Sequence, residues 1–265
     1  MAPDSPAVTA VIQALGAHAL LAFGVALTLV LTGVAILWHL AQRYGLRSKE
    51  SRWPPLAYLV AYLAVGFGVI ASAAALFAEI AEMLGDGKQL GRLDQLFSDT
   101  VQATLSPGVF RAFALLTHLG DPLTLAGLGL AVAGVLLWRR HYGLCVGWAL
   151  ALCGNAVLNT VLKRIFERTR PVHDNLKAFA DGWSFPSGHA SGSVVAYGML
   201  AYLALRLLPF RWHLSALLLA MALAVTVGSS RIFLRVHFAS DVVAGFASGA
   251  AWLALCVTAT KCKRV

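Results

Sequence analysis

Apolar runs of about twenty residues, the length needed to cross a bilayer as a helix, return along this chain from residue 18 to residue 260. They fall at 18–42, 56–84, 121–138, 143–162, 188–208, 212–230 and 240–260. Hydrocarbon offers no partner to a bare backbone N–H or C=O, so such runs must close their hydrogen bonds internally, as helices. The expected fold is therefore all-α: a polytopic transmembrane bundle of about seven spans, with residues 1–265 forming one integral membrane domain. Composition agrees. The chain is 59% hydrophobic and 12% charged, where a soluble domain carries about 25% charged residues. The start, MAPDSPAVTA, has no basic stretch, and the first apolar run is long enough to span, so no cleavable signal peptide is expected. Residues 87–120 contain the amphipathic stretch LDQLFSDTVQATL and the Pro107–Gly108 pair, and are expected at the membrane surface.

The net charge is +9, but its basic residues are scattered over short loops, which argues against a nucleic-acid partner. They sort by side instead. Arg43, Arg47, Lys49 and Arg52, then Arg139 and Arg140, Arg206 and Arg211, and Lys261, Lys263 and Arg264 share one side, where Glu50 is the only acid. The positive-inside rule places that side in the cytoplasm. The N-terminus and the loops at 85–120, 163–187 and 231–239 then face outward. The four cysteines, Cys145, Cys153, Cys256 and Cys262, have no metal-ligand spacing and are read as packing residues. The pairs Gly143/Gly147 and Gly245/Gly249 are small residues four apart that let helices approach closely.

Spans alternate in direction, so three outward stretches meet at one face: KRIFERTRP (163–171), PSGH (186–189) and SRIFLRVHFASD (230–241). Lys163, Arg170 and Arg231 bring three cations. Ser187 adds a hydroxyl, and Gly188 opens its N–H at what should be a helix N-terminus. Such a pocket suits a phosphoryl group, whose oxygens arginine grips in pairs. His237 and Asp241 are four apart and share a helix face. A carboxylate on one ring nitrogen leaves the other to attack, and His189 can protonate the departing oxygen. Two histidines and an aspartate could also ligate a metal, but three neighbouring cations attract an anion rather than a divalent cation.

These stretches resemble the signatures of the type-2 phosphatidic-acid phosphatase family, K-x6-R-P, P-S-G-H and S-R-x5-H-x3-D, over 163–241, with no signature position departing from the pattern. The resemblance implies a six-helix phosphatase core, here with one extra N-terminal span, that needs no metal or other cofactor and forms a phosphohistidine intermediate. It implies His237 as nucleophile, Asp241 as its orienting partner and His189 as acid and then base. It also implies Lys163, Arg170, Ser187, Gly188 and Arg231 as the phosphate cradle. The expected substrate is a membrane lipid phosphate or diphosphate, such as undecaprenyl diphosphate, phosphatidic acid or phosphatidylglycerol phosphate, and the expected setting is a bacterial inner membrane with the site facing the periplasm. Phosphoryl transfer to another lipid or sugar, a vanadate haloperoxidase, and a non-catalytic lipid-phosphate binder or transporter stay open.

Several neighbours are harder to place from sequence. Arg164, Arg168 and Arg235 could add positive field or meet lipid headgroups. Asn155 and Asn159 make a polar stripe on one helix face, best explained by interhelical hydrogen bonds. Trp183 and Phe185 are either interfacial anchors or a lid over the lipid chain. Glu79, Glu82 and Asp121 are read as helix-end polar residues with no chemistry.

Overall fold

The computed structural model describes residues 6–43, 55–85, 89–171 and 182–262. Arg47, Lys49, Glu50, Arg52, His173, Lys263 and Arg264 lie outside the described residues, as do the side chains of Lys261 and Cys262. The described chain is helical: α1 (Pro6–Ala17), α2 (Ala19–Arg43), α3 (Pro55–Gly85), α4 (Gln89–Thr104), α5 (Pro107–Leu116), α6 (Pro122–Trp138), α7 (Tyr142–Phe166), α8 (Gly188–Leu207), α9 (His213–Phe233) and α10 (Ala239–Cys262). Short 3-10 turns cover Thr117–Gly120 and Phe210–Trp212.

Six of these helices, α2, α3, α7, α8, α9 and α10, are long and apolar enough to cross a membrane, and the protein is an integral membrane protein. The span expected at 121–138 is α6, at 17 residues a little short on its own. It continues the Pro107–Gly120 segment through a 43° bend, and that pair taken as one span makes seven. The bend has a local cause. Asp121 is extended (φ −62°, ψ 142°) and Pro122 follows it, a residue that cannot donate its N–H and disfavours a helical predecessor. Leu21, Leu29 and Leu37 on α2, and Val65 and Phe67 on α3, are each more than two-thirds exposed. Hydrocarbon accepts that surface as readily as a protein core would.

α8 is the hub, packed between α7, α9 and α10. Its buried face carries small residues: Ala190, Ser191, Ser193, Ala196 and Ala201. The α10 face that meets it carries Gly245 and Gly249. A Cβ on Gly245 would lie 2.6 Å from the Ser187 carbonyl oxygen, and one on Gly249 would lie 2.8 Å from that of Ser191. This close approach brings the start of α10 against the start of α8. Two indoles tie the helices together: Trp148 Nε1 donates to Gly129 O at 2.9 Å, and Trp252 Nε1 to Ala151 O at 2.9 Å.

α4 packs beside α1 and meets α3, α9 and α10, burying Asp94, Ser98 and Val101, spaced along one face. Two aromatic clusters fix the periphery. Phe113 stacks on Phe233 at 4.2 Å with Phe23 edge-on to both, tying α2 and α5 to α9. Phe185 packs against Phe166 at 5.0 Å and Phe77 at 5.4 Å. Phe185 is therefore a fully buried bracket for the chain entering α8, and neither an interfacial anchor nor a lid.

Candidate active site

The end of α7, the start of α8, the end of α9 and the start of α10 lie at one end of the bundle, and every site residue expected from the sequence lies there. His237 sits in the five-residue link between α9 and α10 and is 3% exposed. That link folds back on itself: the N–H groups of Val236 and His237 both reach Arg231 O, at 3.1 and 3.3 Å. Asp241, in the first turn of α10, accepts from the Phe238 N–H at 3.0 Å, half of a capping box. The same carboxylate oxygen stands 3.4 Å from His237 Nδ1.

Arg170 defines the other side of that imidazole. Its Nη1 donates to Val236 O at 2.7 Å and lies 3.1 Å from His237 Nε2. A guanidinium has donors only, so Nε2 is the unprotonated nitrogen and Nδ1–H points to Asp241. Burial, opposed by Asp241, pushes the His237 imidazole down to about 3, so it is neutral at physiological pH.

Lys163 and Arg170 are tethered through the loop before α8. Lys163 Nζ donates to Trp183 O at 2.5 Å, and Arg170 Nε to Gly182 O at 3.0 Å. Ser187 caps α8, accepting from Ala190 N at 3.4 Å, while its own N–H donates to Asp241 O at 3.0 Å. Gly188 lies against Asn159, whose Oδ1 would be 3.1 Å from a Cβ there. Asn159 Nδ2 donates to Ser191 Oγ at 3.2 Å, the interhelical bond expected of that stripe. Arg231 is 4% exposed and donates from Nη1 to Thr117 Oγ1 at 2.9 Å. Its buried Nε has no hydrogen-bond partner among the described residues, and a buried guanidinium N–H of that kind calls for an acceptor. The fields of Arg170 and Arg231 reach both His189 and His237.

Three participants were not legible in the sequence. Arg168 is turned inward. It bridges two buried carboxylates, Nη1 to Asp241 Oδ1 at 2.6 Å and Nη2 to Asp94 Oδ2 at 2.8 Å. Ser240 Oγ closes the ring by donating to Asp94 Oδ2 and accepting from Arg168 Nη1 at 2.7 Å. Burial raises the Asp94 carboxyl above its usual range, with Ser240 and Arg168 working against the rise. The one signal for Asp94 was an acid on the apolar stripe of α4. The third, Asp121, had been read as a helix-end residue, yet its Oδ1 lies 2.9 Å from His189 Nε2. Among the described residues, no three His, Cys, Asp or Glu side chains gather as metal ligands.

Residues 142–264 match the PAP2 superfamily. The chain is 33% identical over 165 residues to phosphatidylglycerophosphatase B of Bacillus subtilis, covering 59% of this chain and 77% of that one. It is 31% identical over 148 residues to decaprenylphosphoryl-5-phosphoribose phosphatase of Mycobacterium tuberculosis, covering 54% and 76%. The crystal structure of a transmembrane PAP2-type phosphatidylglycerolphosphate phosphatase from Bacillus subtilis superimposes with a TM-score of 0.67 at 28% identity, over 73% of this chain and 96% of that one. Likeness of this extent, in sequence and in chain trace alike, makes the protein a member of the PAP2 superfamily and a membrane phosphatase.

Proposed function

We propose that the protein hydrolyses a lipid phosphate or diphosphate by two in-line displacements through a phosphohistidine on His237. The observation that carries this is the His237 ring: buried, neutral, backed by Asp241 at Nδ1, and presenting an unprotonated Nε2 beside Arg170. In the first step the Nε2 lone pair attacks phosphorus, the P–O bond to the lipid breaks, and the leaving oxygen takes a proton from His189. In the second, water attacks phosphorus and gives a proton to His189, and the P–N electron pair returns to His237. Asp241 accepts the Nδ1–H throughout and stabilises the charge that develops on the ring. Lys163, Arg170, Arg231, the Ser187 hydroxyl and the Gly188 N–H offset the charge on the equatorial oxygens. No step requires a metal.

Membrane geometry supports a lipid. The site lies at the ends of spanning helices, and an apolar groove of about 620 Å³ runs between α3 and α10 from Val243, two residues past Asp241, along Phe246 and Ala247. A tail can rest there while its headgroup meets the cations. The relatives carry names with both a glycerophospholipid and a polyprenyl substrate, so the tail does not set the class. With the basic loops in the cytoplasm the site faces outward, the periplasm of a bacterial inner membrane, which suits a polyprenyl diphosphate carrier recycled on that face. The test is a single turnover with 32P-labelled lipid phosphate in detergent. Wild-type protein should yield an acid-labile, alkali-stable phosphoprotein and then inorganic phosphate without an added acceptor, and His237→Ala should yield neither. Label retained on His237→Ala would refute the nucleophile. Label that leaves the enzyme only onto an added acceptor lipid, with no inorganic phosphate formed, would make the protein a transferase.

A further inference from the structure

The three sequence signatures leave one wall of the site unassigned, and the turn Thr117–Asp121 supplies it. Thr117 accepts from Arg231 Nη1. Leu119 O accepts from Tyr197 Oη at 2.7 Å, which pins the turn to α8. A Cβ on Gly120 would stand 3.0 Å from His189 Cδ2 and 2.3 Å from Val227 Cγ1, so only glycine lets the turn lie against the His189 ring. Asp121 then meets two imidazoles, Oδ1 at 2.9 Å from His189 Nε2 and Oδ2 at 2.6 Å from His118 Nδ1.

Asp121 also occupies the N-cap position of α6 and makes no side-chain cap hydrogen bond there. An aspartate in that place ordinarily accepts an N–H of the first turn and contributes about 1 kcal/mol. Here both oxygens are directed to histidines instead. Of those, His118 is 68% exposed and His189 15% exposed, so the string runs from the surface into the site.

We infer that Asp121, held from outside by His118, is the positioning residue of His189, fixing the ring so that Nδ1 carries the proton for the leaving group. With Nε2–H donated to Asp121, Nδ1 is the one ring nitrogen left to face substrate. In the first displacement Nδ1–H passes to the leaving oxygen as the P–O bond breaks, and the neutral ring remains bonded to Asp121 through Nε2–H. In the second, Nδ1 takes the proton from the attacking water. The site thus holds two His–Asp pairs of opposite use: Asp241 frees Nε2 of the nucleophile, and Asp121 frees Nδ1 of the acid.

This inference rests on the proposed role of His189, and the experiment separates the two. Purified Asp121→Asn, His118→Ala and His189→Ala are assayed for kcat/KM on dioctanoyl phosphatidic acid, whose alkoxide needs a proton to leave, and on p-nitrophenyl phosphate, whose nitrophenolate does not. A positioned general acid contributes about 10²–10⁴-fold, so Asp121→Asn should lower the lipid rate by about 30-fold or more and the aryl rate by less than about 3-fold. His118→Ala, at an exposed position that folding tolerates, should show the same split at about 2- to 5-fold. A merely structural Asp121 would lower both rates alike. Equal losses in Asp121→Asn, or none, with the split present in His189→Ala, would overturn the inference alone. Equal losses in His189→Ala would overturn the acid role on which it rests.

Discussion

Arg168→Ala is the substitution whose outcome the structure specifies most sharply. The guanidinium bonds Asp241, Asp94 and Ser240 at 2.6–2.8 Å, and it lies over the Phe238 ring at 4.3 Å. The carboxylates it joins are 0% and 6% exposed. Removing one member of a buried ion pair leaves an uncompensated charge and costs about 3–5 kcal/mol, far more than the pair itself contributes over an apolar replacement. Here two carboxylates are stranded by one change, so the expected loss lies at the upper end of that range. Adding Asp94→Asn removes one of them and should restore about 1–3 kcal/mol, a coupling typical of contacting residues. Arg168→Lys keeps a charge but cannot span both carboxylates, and should fall between. Catalysis should suffer separately, because Asp241 loses the partner of Oδ1 and is free to turn from His237. A misplacement of about 1 Å can cost about 10²-fold in rate. Denaturant titration in mixed micelles measures the first effect, and kcat at a temperature where every variant is folded measures the second. A loss below about 1 kcal/mol for Arg168→Ala, or no recovery on adding Asp94→Asn, would refute the reasoning.

Gly245→Ala should destabilise the fold by about 1–3 kcal/mol and lower kcat, because its Cβ meets Ser187 O at 2.6 Å; Gly143→Ala, with nothing within 4 Å, should do neither, and equal effects would contradict the packing of α8 on α10. The buried His237 has a folded pKa near 3, below its unfolded value, so the unfolded chain binds the extra proton and stability falls as pH drops from about 6.5 toward 3. His237→Gln should flatten that fall in unfolding titrations across the window, and an unchanged slope would place the titration elsewhere. Vanadate should inhibit competitively by taking the five-coordinate geometry of the transferring phosphorus, and EDTA should leave the rate unchanged; indifference to vanadate, or a chelator loss restored by a divalent ion, would count against the cation cradle.

Helix positions were legible because the bilayer leaves a chain so few options. The expected 143–162 and 188–208 spans are Tyr142–Phe166 and Gly188–Leu207, and the Asp-Pro pair at 121–122 marks where a helix restarts. The site was legible for a related reason. Crossing parity brings 163–171, 186–189 and 230–241 to one face, and the four-residue step from His237 to Asp241 is a local contact that spacing alone can specify.

The partners of those residues were not legible. Arg168 meets Asp241 and Asp94, 73 and 74 positions away, and Asp121 meets His189, 68 positions away. Asp94 and Asp121 look in sequence like helix-surface or helix-end residues. Sequence spacing sets which side chains share a face of one helix, and the bilayer's demand for closed backbone hydrogen bonds sets where the helices run. Which face of α4 or of the Thr117–Asp121 turn lies across from His189 and His237 follows from how the helices pack, down to the absence of a Cβ at Gly120 and Gly245. That packing exists only once the whole bundle has closed.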